Sequence, residues 1–440
     1  MLLTIEKLIY GGDGLARLPA DAKGRGKAVF LPYVLAGEKV EAVLTEEKPG
    51  FARARPESIV EASPHRIAAA CPYFRSCGGC HYQHATYDHQ LEIKKEIVRE
   101  TMRRTAKLEL ACEVEVHPSP PWNYRNRARL QLQTRTTFAA GYFKLGSHEL
   151  LPVENCPISS PLINRAIGAL WQTGRAGKVP EGTREIEFFA SADDSQLLAE
   201  VYCGAEARRS VVREWAEEFC HSMREVVGVV AFRHSGGEAP EKLVTVGADH
   251  LTYQTGLATY RVSAGSFFQT NRFLTDKLVE IVTGQQSGEL ALDLYAGVGL
   301  FSTALGGDFH HIVSVESSQT STADLSYNQR PNGIAIQATT EKYLAQIGSG
   351  GTGKGAVLLH TAHRPDLAVV DPPRSGLGER VARLLANLGA PRVTYVSCDP
   401  ATLARDLVVL LGAGYRIEHV HLVDLFPQTF HLESVVHLVR

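Results

Sequence analysis

A cysteine ends the apolar run in VTYVSCDPATLARDL, residues 393–407, where the pattern turns from strand to helix. An isolated thiol is more often a small buried hydrophobe than a reagent. Its place at the opening of a loop and helix argues otherwise, because a helix N-terminus lowers a thiol pKa and favours the thiolate. Cys398 is therefore a candidate nucleophile. Two carboxylates end strand-like runs nearby in the pattern: Asp371 in LAVVDPPRSG, residues 367–376, and Glu433 in LFPQTFHLESVVHL, residues 425–438. Neighbouring parallel strands present such residues at their carboxyl ends, facing one crevice.

One reaction uses all three groups. Carbon 5 of a uracil is too weak a nucleophile to take a methyl group from a sulfonium, but a thiolate adding at carbon 6 turns the ring into an enolate that is strong enough. The carbon 5 proton must then leave, which needs a general base, and Glu433 is the candidate. Arg374 or Asp371 could hold the base edge or the O4 where enolate charge develops. Access to both ring faces requires a flipped-out nucleotide in a loop or another unpaired stretch.

The methyl donor has its own signature. In LDLYAGVGLF, residues 292–301, a strand ending in a carboxylate runs through Gly297 and Gly299 into a helix, and Glu316 ends the next strand 19 residues after Gly297. Glycines admit close approach of a ligand, and an acid at that offset suits a ribose. A dinucleotide site shares these features, but GxGxxG is broken after Gly299, which favours S-adenosyl-L-methionine.

Cys71, Cys77 and Cys80 crowd together, with Cys156 distant. Four thiolates suit either an iron–sulfur cluster or zinc, and His81 or His84 could replace one of them in a zinc site. A structural role follows from the chemistry, since methyl transfer moves no net electrons. From residue 116 to 148 there are five basic residues, Arg125, Arg127, Arg129, Arg135 and Lys144, and no acid. Trp122, Tyr124, Phe138, Tyr142 and Phe143 lie among them. Cations for phosphates beside aromatic faces for bases is an RNA-like mixture.

These residues need positioning elements. Residues 1–62 read as short strands between glycine turns, five in number, a small β-barrel of the oligonucleotide-binding type. Residues 63–115 hold the cysteines and a linking helix near 89–107. Residues 116–265 mix strands and helices as an α+β domain. Residues 266–440 repeat strand, glycine turn and helix, the pattern of a doubly wound, mostly parallel, Rossmann-like sheet. With 440 residues the chain is too long for one core. Its net charge of -2 gives no global sign of nucleic-acid binding, so any such surface must be local. Eight cysteines are too few for a disulfide scaffold, and no apolar run approaches a membrane span. MLLTIEKLIYGG lacks the features of an export signal. A cytoplasmic protein, acting as a monomer, is the expectation.

Over nearly its whole length the sequence resembles the class I uridine-C5 RNA methyltransferases, in the branch with an N-terminal TRAM domain and an iron–sulfur cluster. The motifs that carry the resemblance are the barrel, CPYFRSCGGC with the later Cys156, NYRNRARLQL, SFFQTN at 266–271, DLYAGVGLF, VESS, DPPRSG, SCDPATLARDL and the terminal HLES. The resemblance implies Cys398 as nucleophile, Glu433 as base and S-adenosyl-L-methionine contacts from Gln269, Tyr295, Glu316 and Asp371. It also implies a 4Fe–4S cluster on Cys71, Cys77, Cys80 and Cys156. Its architecture points to 23S rRNA more than transfer RNA. The chain departs from the pattern at Leu300, and at Thr339 or Thr340 where an acid or amide meets the adenine. Two other readings compete: an RNA amino-group methyltransferase, suggested by Asp-Pro-Pro, and a non-catalytic RNA-binding protein with a degenerate cofactor site.

Overall fold

The computed structural model describes residues 1–19, 26–135, 137–233, 241–284, 286–348 and 364–440. Its N-terminal sheet has six strands where the sequence suggests five. The run LTIEKLI divides at Ile5. Leu2–Thr4 pairs with Lys39–Glu47, whereas Lys7–Leu8 pairs with Gly14–Arg17. Between them Ile5 donates to the Glu38 carbonyl and Glu6 to the Leu15 carbonyl. The two end strands of the sheet order are thus consecutive in sequence, and the sheet curls on itself around Leu3, Ile5, Val29, Leu31, Val34 and Val40. Closure removes the unpaired edges that a short sheet would otherwise expose.

The central sheet has seven strands, with Arg127–Gln133, Thr183–Ala190, Leu197–Cys203 and Val226–Arg233 at its middle. Helix Pro161–Arg175 covers it for sequence reasons. Ser160 caps its first turn by accepting from Ile163 N–H, Pro161 occupies a position with no donor to lose, and Leu162, Ile163, Ala166, Ile167, Leu170 and Trp171 bury one face.

The C-terminal sheet runs in the order Gly333–Gln337, Phe309–Glu316, Gly288–Leu294, Leu367–Val370, Arg392–Ser397, Glu433–Val439, Arg416–Val423, Val114–His117. The first five are mutually parallel; Glu433–Val439 runs antiparallel to both neighbours. The order reverses direction at Gly288–Leu294, and the crevice beyond the carboxyl ends of that strand and Leu367–Val370 is where such sheets bind ligands.

Two features differ from the sequence reading. The expected linker helix is Tyr87–Thr101, continued by a π-helical turn Met102–Ala106, and its Ile93, Ile97 and Val98 pack into the core of the C-terminal sheet. Strand Val114–His117 then joins that sheet's edge, so a boundary drawn at residue 115 falls inside a strand of the C-terminal unit. The hairpin His250–Gln254 and Thr259–Ser263 likewise leaves the central sheet, and its Leu251, Tyr253, Tyr260 and Val262 share a core with Leu278 and Phe301. Short apolar strands carry no label for the sheet they will join.

Candidate active site

The glycine loop opens at Asp293, the fully buried penultimate residue of Gly288–Leu294. One carboxylate oxygen, Oδ2, accepts Ser302 N–H at 3.0 Å, while Oδ1 is buried with no hydrogen-bond partner. Burial pushes this carboxyl up to about 6. Tyr295, Gly297 and Gly299 follow with φ of 66°, 55° and 94°. A Cβ on Gly297 would meet nothing within 4 Å, so the loop faces open space; one on Gly299 would stand 2.8 Å from Leu325 Cδ1, which together with its φ requires glycine there. Glu316 accepts Gly297 N–H at 3.0 Å and Ser318 N–H at 2.7 Å, tying the loop to the next strand. Gln269 is buried in segment 266–271, which Ser266 anchors to Asp324 and Asn271 to the Leu425 carbonyl. Thr340, one of the two threonines where the family pattern has an acid or amide, lies close enough to Tyr295 to act on its phenol.

Register explains why Cys398 and Glu433 meet. Ser397 pairs with Ser434 in the antiparallel ladder, so the residue after one lies across from the residue before the other. Glu433 is 6% exposed and Cys398 half-buried. Desolvation pushes the Cys398 thiol up to about 12, with further upward pressure from the charges of Glu433 and Asp371 and relief from Arg374. The expected helix-terminus activation is not what this thiol experiences. Asp399 caps helix Pro400–Gly412 by accepting Ala401 and Thr402 N–H, both at 3.0 Å, so a carboxylate already occupies the positive end. Asp371 keeps some surface open to the crevice, and crowding by protein together with the charge of Asp293 pushes it up to about 7. Burial and Asp371 raise Glu433 as well. Glu316, Asp293, Asp371, Glu433 and Cys398 thus form a chain of interacting groups, an acidic crevice suited to a cationic ligand.

Residues that the sequence reading did not assign to the site complete its rim. Tyr10, from the N-terminal sheet's first turn, donates to the Cys398 carbonyl at 3.2 Å and meets Phe430 edge-on at 5.6 Å. His81, beside the cysteine segment, packs on the same ring at 4.6 Å. Arg374 Nη2 lies 3.1 Å from His431 Nδ1. Below them, Lys94 reaches Asp424 and the Phe426 carbonyl at 2.6 and 2.9 Å, fixing the segment that delivers Glu433. Of these, His431 opens the HLES motif and Phe430 directly precedes it, a signal that could have marked them; the distant partners had no local signal.

Cys71, Cys77, Cys80 and Cys156 line one cavity of about 340 Å³ with Arg125, Tyr142 and Phe74. Among the described residues, no three of these sulfurs lie within 4.8 Å of one another. Burial pushes the Cys77 and Cys80 thiols up to about 11 and about 12.

The basic row needs correction as an RNA surface. Arg127 is buried between Glu187 and Glu200, reaching Glu200 at 2.9 Å and donating to the Ser266 carbonyl. Arg125 turns into the cysteine cavity and donates to the Arg127 carbonyl at 2.8 Å. Arg129 is more exposed but is held by Glu187 at 2.6 Å and lies over Tyr202. The acids come from strands Thr183–Ala190 and Leu197–Cys203, invisible in a run that itself contains none. Cations also gather in a groove between the N-terminal sheet and the linking helix, lined by Lys7, Tyr10, Arg17, Arg103, Arg104 and Lys107, where Glu100 among them pairs with Lys7 and with Arg103, each at 2.7 Å.

Residues 86–440 match the sequence profile of the family described as tRNA (Uracil-5-)-methyltransferase, and residues 1–56 match the TRAM domain. An uncharacterized RNA methyltransferase of Aquifex aeolicus is 32% identical, with 98% of this chain and 97% of that one covered. Another from Halalkalibacterium halodurans is 30% identical, with 98% and 95% covered. Among solved structures, a tRNA (uracil-54, C5)-methyltransferase of Pyrococcus abyssi in complex with S-adenosyl-L-homocysteine covers 100% of both chains at 24% identity with a TM-score of 0.76, a likeness of fold.

Proposed function

Because the chain belongs to the tRNA (uracil-5-)-methyltransferase family and carries a TRAM domain, we propose that it methylates carbon 5 of an unpaired uridine in 23S rRNA, with Cys398 as nucleophile and Glu433 as base. The observation that carries this reading is the register that sets Glu433 across from Cys398, with Asp371 and Arg374 close enough to act on both.

S-adenosyl-L-methionine supplies an electrophilic methyl group when bound. The unpartnered Oδ1 of Asp293 and the open side of Gly297 fit its cationic, close-lying body, and Tyr295, Glu316, Gln269 and Asp371 are the further contacts in this reading. Cys398 first loses its proton, for which the ionised form of Asp371 or Glu433 is the nearby acceptor. The thiolate forms a C–S bond to uracil carbon 6, and the electron pair moves to the carbon 5–carbon 4–O4 enolate, where Arg374 faces the developing charge. Carbon 5 would take the methyl group as its bond to the donor's sulfonium sulfur breaks, the electron pair staying on sulfur so that S-adenosyl-L-homocysteine leaves as a neutral thioether. Glu433 then removes the carbon 5 proton, the enolate re-forms, and the C–S bond breaks as the carbon 5–carbon 6 double bond returns. The thiolate is regenerated, and the proton taken by Glu433 passes to solvent.

The cysteine quartet holds a structural 4Fe–4S cluster in this reading, supported by four thiols around one cavity. An anaerobic absorption spectrum without a broad band near ~400 nm would overturn it. RNA reaches the site along the cationic groove that ends at Tyr10. Among the described residues no helix is long and apolar enough to cross a membrane, and the proposal includes a cytoplasmic monomer. The deciding experiment supplies labelled S-adenosyl-L-methionine with unmodified 23S rRNA or transfer RNA and identifies the labelled nucleoside. 5-Methyluridine from 23S rRNA supports the whole proposal. The same nucleoside from transfer RNA alone transfers the substrate to the class named for the Pyrococcus abyssi structure, and a methylated amine overturns the mechanism.

A further inference from the structure

At the sheet edge farthest from the glycine loop, five chemistry-bearing residues share one face of three adjacent strands. The parallel register of Val114–His117 with Arg416–Val423 sets Glu115 beside His421 and His117 beside Val423. On the other side, His437 pairs with His419. Residues two apart on a strand point the same way, so Glu115, His117, His419, His421 and His437 converge. None of them belongs to the reaction described above.

Their atoms are close enough to share a ligand. His117 Nε2 lies 3.1 Å from His421 Nδ1, and His421 Nδ1 lies 3.5 Å from Glu115 Oε2. All three ligand atoms fall within 4.8 Å of one another. A tetrahedral ion with nitrogen and oxygen ligands about 2.0–2.1 Å away keeps those ligands about 3.3 Å apart, close to the two shorter separations. The His117–His421 contact places two ring nitrogens face to face, one a donor and the other an acceptor when both rings are neutral. A metal ion in place of the shared proton uses both lone pairs.

We propose that Glu115, His117 and His421 bind a divalent transition metal of the zinc class, which cross-links the strand Val114–His117 to the strand Arg416–Val423. Two imidazoles and a carboxylate form a borderline ligand set that selects zinc, cobalt, nickel or copper over magnesium or calcium. Water or His419, whose Nδ1 is 3.8 Å from Glu115 Oε1, completes the coordination. Around the site, Thr394 Oγ1 lies 3.2 Å from His437 Nδ1, which orients that ring behind His421, and the two rings meet edge to face at 5.3 Å. A cross-link here has a mechanical consequence. Val114–His117 is the outermost strand of the sheet, held to it by four paired residues, and it joins the linking helix to the rest of the chain.

Cobalt titration of the full-length, cluster-loaded protein tests this, because cobalt reports its ligands by colour and so distinguishes this site from the cysteine quartet. One equivalent of Co²⁺ is expected to bind with half-saturation below about 100 µM, the difference spectrum against the cobalt-free protein showing visible d–d bands and no new thiolate charge-transfer band. The exposed Glu115 allows a variant with little risk to folding: Glu115→Gln should weaken binding at least ~10-fold, and His117→Ala should abolish it with the far-ultraviolet circular dichroism unchanged. Zn²⁺ should raise the Tm of the unaltered protein by more than that of Glu115→Gln at the same concentration. No uptake in that concentration range, uptake that survives in both variants, or new thiolate bands in the cobalt difference spectrum overturns the proposal.

Discussion

Lys94 Nζ lies 2.6 Å from Asp424 Oδ1, with both side chains fully buried, joining the linking helix to the segment that precedes Glu433 across 330 positions of sequence. Tyr87 donates to the other carboxylate oxygen at 2.9 Å, and Gln90 exchanges hydrogen bonds with Gln428 farther along the same segment. Breaking one partner of such a pair leaves a charge in an apolar interior. Lys94→Met is therefore expected to lower stability by about 3–5 kcal/mol, read as a drop in the urea midpoint without change in slope. A loss below about 1 kcal/mol means that the segment is held by its other contacts.

Covalent chemistry separates Cys398 from Glu433. A 5-fluorouridine RNA has no carbon 5 proton to surrender, so the adduct should persist through denaturing electrophoresis. Cys398→Ala should form none, with turnover reduced at least ~10⁴-fold. Glu433→Gln should still attack and methylate ordinary RNA but stall before elimination, so that a methylated adduct accumulates while turnover falls ~10²–10⁴-fold. An adduct in Cys398→Ala, or none in Glu433→Gln, contradicts the division of labour.

The acidic crevice also predicts a pH signature. Asp371, raised to about 7 from 3.8, binds a proton in the folded state that the unfolded chain has released. Its contribution to stability is fully present below about 4 and is lost as pH rises through about 7. His81, His84 and His437, each pushed down from 6.5 to about 4 by burial, act in the opposite sense, and their contribution is lost as pH falls below 6.5. The two are separated by Asp371→Asn, which mimics the protonated acid. Its stability relative to the unaltered protein should rise as pH climbs from about 4 to about 8, measured by urea unfolding without S-adenosyl-L-methionine. A pH-independent difference means that Asp371 is not raised.

The strands that carry Asp293, Glu316, Asp371 and Cys398 were legible because each is a short apolar run ending in a polar residue at a turn, and one crevice serves all such ends. The pairing of Cys398 with Glu433 was only half legible. HLES marks Glu433, but its distance from Cys398 depends on an antiparallel register that no local pattern prints. Tyr10, His81 and Lys94 reach the site from other parts of the chain, so nothing around them in sequence distinguishes them. Cys398 was identified for a reason that failed in part: its loop does open a helix, but the cap residue Asp399 takes the helix terminus for itself.

Arg127 gives the sharpest test of the corrected RNA surface. Its guanidinium sits between Glu187 and Glu200, so Arg127→Ala leaves buried Glu200 without its cation and Glu187 with Arg129 alone, and should destabilise the fold by about 3–5 kcal/mol. Its effect on RNA should come only through that loss of folded protein. In the groove, by contrast, Arg104 and Lys107 are exposed, and Arg104 lies 3.9 Å from Glu100. Exposed cations that meet phosphates release counterions, and removing one reduces the salt dependence of binding by about 0.7–0.9 in log–log slope. Arg104→Ala with Lys107→Ala should therefore leave the urea midpoint nearly unchanged, weaken RNA binding and flatten its slope against salt by roughly 1.4–1.8. If the slope stays the same in the double variant, phosphates do not follow that groove, and the path of the RNA to Cys398 lies over another face.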